Sequence, residues 1–145
     1  MQITRLFEFD SGHRIPNHNS KCRNMHGHRY KLELTLAGQI LQTPNQSHEG
    51  MVLDFADVKR LALDFIDTLD HAFLVWQDDQ QLLDFLATTD SKYVIVPTIP
   101  TVENLVKFID EHLQPVFAQT YNDSLHIKSI KLWETPNCFA QITHA

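Results

Sequence analysis

Cys22-Arg-Asn-Met-His26-Gly-His28-Arg-Tyr30-Lys-Leu-Glu-Leu-Thr-Leu36 decides how the rest of this chain is read. From Tyr30 to Leu36 apolar and polar residues alternate, the pattern of a half-buried strand. Side chains at i and i+2 of a strand point to one face. His26 and His28 at the head of this run therefore aim two imidazoles at one point, and Gly27 between them puts no side chain on the other face. Two ligands do not complete a zinc site; a third is required, and a catalytic site leaves the fourth position open. His13 is the best third candidate. It follows a second alternating run, Ile3 to Phe9, in Asp10-Ser-Gly-His13-Arg14. Cys22, four residues ahead of His26, is a candidate base, because a nearby metal favours thiolate over thiol. The plain readings are solvated strand histidines and a small buried hydrophobe.

Composition bounds the rest. The chain has 145 residues, 43% hydrophobic and 21% charged, which fits one globular domain over 1–145 with a substantial core. The start at Met1 lacks a signal peptide's apolar block, and no apolar run is long enough to span a bilayer. The two cysteines, Cys22 and Cys138, are far apart with no C-x-x-C, which argues against a disulfide scaffold. The expectation is a protein of the reducing cytoplasm with no membrane partner. The net charge of −6 argues against nucleic acid as a partner. That charge is uneven. Residues 1–38 carry six basic against three acidic side chains, a local +3. Arg14, Lys21, Arg23 and Arg29 flank the candidate ligands, which suits an anionic, phosphorylated small molecule. A solvated basic loop is the ordinary alternative.

Residues 2–10 and 29–37 read as partner strands. Asp54 caps a helix whose apolar positions, Phe55, Val58, Leu61, Ala62, Phe65, Ile66 and Leu69, share one stripe. It ends at Asp70-His71, which serves either as a polar terminus or as an acid–base pair. Asp79–Leu86 reads as a short helix and Tyr93–Val96 as a short strand or extended segment. Thr101 caps a second long helix, with Glu103 in its first turn, and Pro115 is expected to end or kink it. Leu125–Trp133 and Cys138–Ile142 form a hairpin about Pro136-Asn137. Glu134 beside that turn is solvated or, if it points into a pocket, accepts two hydrogen bonds from an amidine-like edge such as that of a pterin. The expected fold is α+β, a four-stranded antiparallel sheet with two helices packed on one face. Its open edges invite pairing between subunits.

Six pieces in order, Ser11-Gly-His13-Arg14, Cys22-x-x-x-His26-Gly-His28, Gly50-x-x-x-Asp54-Phe55-x-x-x-Lys59, Leu69-Asp70-His71, Pro100-Thr101-x-Glu103-Asn104 and Glu134-Thr135, resemble the 6-pyruvoyl-tetrahydropterin synthase family. Within it they look like the bacterial branch that makes 6-carboxy-tetrahydropterin. The resemblance implies the tunnelling fold, with subunits joined as a homohexamer, a dimer of trimers. It implies Zn2+ on His13, His26 and His28, Cys22 as general base, and Asp70 with His71 as proton relay, facing Cys22 across a subunit boundary. Glu134 would anchor the pterin, with Thr101 and Glu103 near it, and Arg14 and Lys21 are the cations suggested for the triphosphate. The implied reaction takes 7,8-dihydroneopterin triphosphate to 6-carboxy-5,6,7,8-tetrahydropterin, acetaldehyde and triphosphate, on the route to queuosine. The alternatives are a pyruvoyl-tetrahydropterin synthase and a non-catalytic zinc- or pterin-binding module. Residues 74–97 are longer than in compact family members, and Cys22 stands where folate-precursor branches carry Glu.

Overall fold

The computed structural model describes residues 1–121 and 124–145. One six-stranded sheet runs through it in the order β4-β3-β1-β2-β5-β6. Its strands are β1 (Gln2–His13), β2 (His26–Gly38), β3 (Ala72–Trp76), β4 (Tyr93–Val96), β5 (Leu125–Thr135) and β6 (Cys138–Thr143). The helices are α1 (Phe55–Leu69), α2 (Gln80–Ala87) and α3 (Val102–Tyr121). No helix among the described residues is long and apolar enough to cross a membrane.

The four expected strands form one antiparallel run, β1-β2-β5-β6. The expected sheet is nevertheless too small. β3 adds to β1 in parallel and β4 adds to β3 in parallel. β3 escapes a search for alternation because it is buried from both sides: Leu74 and Val75 are both fully buried, on opposite faces. Leu74 joins the main core, whereas Val75 packs with Leu82 and Leu86 of α2. The third helix thus lies on the face opposite α1 and α3, which is a second departure from two helices on a single face.

On the main face, Phe7 and Phe9 of β1, Tyr30, Leu32, Leu34 and Leu36 of β2, and Ile127, Ile130 and Leu132 of β5 meet the apolar stripes of α1 and α3. Burying each such side chain contributes about 1.5–3 kcal/mol, so registry between these faces is strongly specified. α1 begins as expected, with Asp54 accepting a hydrogen bond from the Ala56 amide at 2.7 Å. α3 does not end at Pro115 but continues to Tyr121. Pro115 and Glu111, whose carbonyl loses its helical partner, both lie on the exposed side of the helix, so the proline costs no buried hydrogen bond.

β1 and β2 each reach further than their alternation suggests. The strand expected over 2–10 runs on to His13, with Ser11 and Gly12 in the ladder opposite His28 and Gly27. A side chain at Gly12 would have its Cβ 2.6 Å from the Phe73 ring of β3, so the glycine is required for strand-to-ring approach. This extension carries His13 and His26 into the sheet.

Candidate metal centre and proton relay

The antiparallel register sets His13 opposite His26 and Ser11 opposite His28. Directly paired residues share a face, and so do residues two apart on a strand. All three imidazoles therefore emerge on the helix-bearing face, at the end of the β1–β2 ladder. Their ring centroids lie 4.6, 5.0 and 5.1 Å apart. One nitrogen from each lies within 4.8 Å of the others.

Two backbone carbonyls fix which nitrogen points inward. His13 Nδ1 donates to Pro100 O at 2.7 Å, and His26 Nδ1 donates to Asn24 O at 2.7 Å. Both Nδ1 atoms therefore carry the proton and both Nε2 atoms present lone pairs. Those two Nε2 atoms face each other at 3.1 Å. Neutral rings so arranged have no hydrogen between them, and burial pushes His13 down to about 4, keeping it neutral. Two lone pairs converging in this way suit a cation. Tetrahedral zinc with Zn–N bonds of 2.0–2.1 Å spaces its nitrogens about 3.3 Å apart, close to the observed separation. His28 is also lowered, first by burial, although Glu134 pulls the other way. The residues fit a three-histidine metal site with an open fourth position.

Tyr30 packs beneath the cluster, stacked on Phe9, with its hydroxyl 3.4 Å from His13 Nδ1. Burial holds that hydroxyl neutral by raising its pKa well above the usual range. The carbonyls of Pro100 and Asn24 carry no residue-type signal, which is why the sequence does not announce them. The Pro100-Thr101 motif contains one of them in disguise. Thr101 caps α3, its hydroxyl accepting from the Asn104 amide at 3.3 Å, and Asn104 Nδ2 donates to Ile99 O at 2.9 Å. Together they fix the loop whose Pro100 carbonyl orients His13.

Asp70 and His71 form a second cluster with Asp10. The chain turns sharply as it leaves α1, with His71 in the left-handed region at φ 57°. The turn lets Asp70 Oδ2 reach the Nδ1 of its own neighbour at 3.0 Å. Asp70 Oδ1 accepts from the Asp10 amide at 2.9 Å, and the His71 amide donates to Asp10 O at 2.7 Å. The Asp10 amide, followed by the His71 contact, holds the Asp70 carboxyl below its ordinary range.

A pocket of about 820 Å³ is lined by His71, Arg29, Lys92, Phe73 and Phe85, among others; of the three candidate ligands it includes His28 and neither His13 nor His26. A second pocket of about 530 Å³ holds Glu134 and Trp133 and shares His28. Glu134 Oε1 lies 3.9 Å from His28 Nε2. Neither pocket is lined by Thr101 or Glu103. Glu103 is exposed in the first turn of α3. Cys22 sits half-buried on a 3-10 turn, Lys21–Arg23, and joins neither cluster within the single chain. Arg14 is already engaged: Nε donates to Asp79 Oδ2 at 2.7 Å, and Nη2 donates to Asp79 Oδ1.

Comparison with known proteins agrees with this geometry. A family model described as 6-pyruvoyl tetrahydropterin synthase matches residues 2–145. A Rickettsia conorii protein named 6-carboxy-5,6,7,8-tetrahydropterin synthase is 37% identical, covering 98% of this chain and 99% of its own. One of the same name from Haemophilus influenzae is 35% identical, covering 97% and 96%. Among solved structures, 6-pyruvoyl tetrahydropterin synthase from Caenorhabditis elegans has a TM-score of 0.71 at 24% identity, over 100% of this chain and 96% of that one. An uncharacterised Wolinella succinogenes protein scores 0.80 at 22% identity, over 100% and 98%. These two establish the fold, and the match over nearly every residue establishes the rest: the chain belongs to the 6-pyruvoyl tetrahydropterin synthase family.

Proposed function

We propose that the chain is a zinc-dependent lyase that converts 7,8-dihydroneopterin triphosphate and one water to 6-carboxy-5,6,7,8-tetrahydropterin, acetaldehyde and triphosphate, on the route to queuosine. The observation that carries this reading is the pair of lone-pair-bearing Nε2 atoms, 3.1 Å apart, with both Nδ1 protons tied to carbonyls. The relatives' name, 6-carboxy-5,6,7,8-tetrahydropterin synthase, supports the product.

Zinc, when held by His13, His26 and His28, supplies Lewis-acid polarisation of the substrate's side-chain oxygens and so acidifies the adjacent carbon. Cys22 is the base for that proton at Sγ. His71 moves a second proton at Nε2, since Asp70 engages Nδ1 at 3.0 Å and fixes the ring's tautomer. Glu134 accepts the amidine edge of the pterin beside Trp133. Thr101 acts from behind, through the cap that holds Pro100 against His13. Cys22 meets the relay of a neighbouring subunit in a cytoplasmic homohexamer. The apolar residues left exposed near the two sheet edges, Tyr93, Ile95 and Phe139, support subunit pairing there.

The test is product mass from zinc-loaded protein and dihydroneopterin triphosphate, beside Cys22→Ala. Carboxy-tetrahydropterin with acetaldehyde, lost in the variant, is the expected result. A pyruvoyl product would assign the chain to the other branch. Bound zinc without turnover would leave a binding module.

A further inference from the structure

The relay turn needs an external support, and the structure identifies one. The last turn of α1 contains no basic residue of its own, although that is where a cation best complements the helix dipole and the unpaired carbonyls. The cation comes instead from β4's side of the sheet. Lys92 Nζ donates to Asp67 O at 2.6 Å and to Asp70 O at 2.7 Å, bridging 25 and 22 residues of sequence. Lys92 is itself pinned, because its carbonyl accepts from the Phe73 amide at 3.0 Å. Phe73 in turn lies over Gly12 of β1.

His71 makes such support necessary. Helices commonly exit through a left-handed glycine; a residue with a Cβ occupies that region only when its surroundings over-determine it. Here the Asp10 carbonyl holds the His71 amide, the Ser11 hydroxyl donates to Leu69 O at 2.6 Å, and Lys92 binds the carbonyl of Asp70. The first two supports come from β1. The third comes from the segment between α2 and β4.

We propose that Lys92 is a positioning residue for the Asp70–His71 pair, its ammonium locking the left-handed exit from α1 that aims His71 into the pocket. The inference rests on His71 as the proton-moving group. It gives the β3–α2–β4 segment a further role: besides widening the sheet, it carries a cation back to the relay. Lys92 also lines the pocket. A substrate anion is therefore the competing use of the same charge, and the two uses leave different kinetic traces.

The experiment compares wild type, Lys92→Met and Lys92→Arg, all zinc-loaded, with dihydroneopterin triphosphate as substrate. Backbone hydrogen exchange of the peptide spanning residues 66–75 is measured on the same proteins without substrate. Positioning predicts that Lys92→Met lowers kcat by about 10- to 100-fold. KM should stay within about twofold, one zinc per chain should remain, and the peptide should exchange faster. Lys92→Arg, which keeps the charge and the donors, should restore most of kcat. A raised KM with unchanged kcat would overturn the proposal in favour of an anion contact. Unchanged exchange in Lys92→Met would overturn it whatever the kinetics, and so would loss of zinc. If the wild type turns over no pterin, the functional reading fails by itself, and the exchange measurement still decides whether Lys92 holds the turn.

Discussion

Arg14 is where charge counting and geometry diverge most sharply, and its substitution separates them. As a loose cation beside the metal site, Arg14 would bind triphosphate, and Arg14→Met would raise KM at little cost in stability. The structure gives it another role. Its guanidinium makes a two-pronged contact with Asp79, whose side chain is only 5% exposed, and it reaches Gln81 at 3.3 Å. Asp79 also caps α2 through the Leu82 amide at 3.3 Å. Removing one partner of a fully buried pair costs about 3–5 kcal/mol. Because Arg14 is 19% exposed and water enters along it, the lower end applies, about 3 kcal/mol. For a chain of this length each kcal/mol moves Tm by about 2–4 °C, so Arg14→Met should melt roughly 6–12 °C lower. Asp79→Leu added to it should recover part of that loss, since an apolar replacement of both partners leaves no unpaired charge. The pH dependence has a defined sign. The Arg14 contact holds Asp79 below its ordinary 3.8, so the pair's contribution is complete above that value and disappears as pH falls through the lower folded value. The Tm gap between wild type and Arg14→Met should therefore close in acid. Differential scanning calorimetry gives the gap, and steady-state kinetics gives KM, expected within about twofold of wild type. An Arg14→Met protein of unchanged Tm with KM raised tenfold would refute the reasoning.

Three further outcomes follow from the same geometry. Chelation should lower Tm by roughly 8–16 °C relative to protein in zinc at 1,000 times its Kd, where binding adds about 4 kcal/mol; His26→Ala should melt at the chelated value with or without zinc, and stoichiometric zinc in that variant would contradict the three-histidine site. Gly12→Ala places a Cβ 2.6 and 2.8 Å from two carbons of the Phe73 ring, an overpacking cost of about 1–3 kcal/mol, and Phe73→Ala in the same chain should relieve it, as a double-mutant cycle of Tm values would show. In metal-free protein, burial lowers His13 from 6.5 to about 4, so the neutral ring's contribution is complete above 6.5 and lost as pH falls toward 4; Tm followed across that window should drop less in His13→Gln than in wild type.

The parts of the site that a reader of the sequence finds are those whose chemistry lies in side chains at fixed strand spacing. His26-Gly-His28 announces a shared face, and the ladder places it there. Asp54 and the stripes of α1 and α3 are legible for the same reason, since a 3.6-residue period survives without knowledge of partners. β3 is illegible because burial from both sides erases its alternation. The expected helix end at Pro115 misleads because the carbonyl of Glu111, left without its helical partner, lies on the exposed side of α3. The carbonyls of Pro100 and Asn24, which set two histidine tautomers, belong to the backbone and have no letter in the sequence.

The common anchor of metal site and relay is the last third of β1, where the two faces of one strand serve different tasks. His13 and Ser11 point to the helix-bearing face: His13 enters the metal cluster, and Ser11 binds the carbonyl that ends α1. Asp10 uses its backbone on both sides of Asp70-His71, donating to the carboxylate and accepting from the histidine amide. Gly12 leaves room for the ring that ties in β3. A one-residue slip of β1 would invert every one of these assignments at once. Through β1, therefore, metal affinity and relay geometry change together. A substitution that shifts β1 against β2 should weaken zinc binding and accelerate exchange at His71 together, whereas one confined to the β3–β4 edge, such as Lys92→Met, should affect the relay alone.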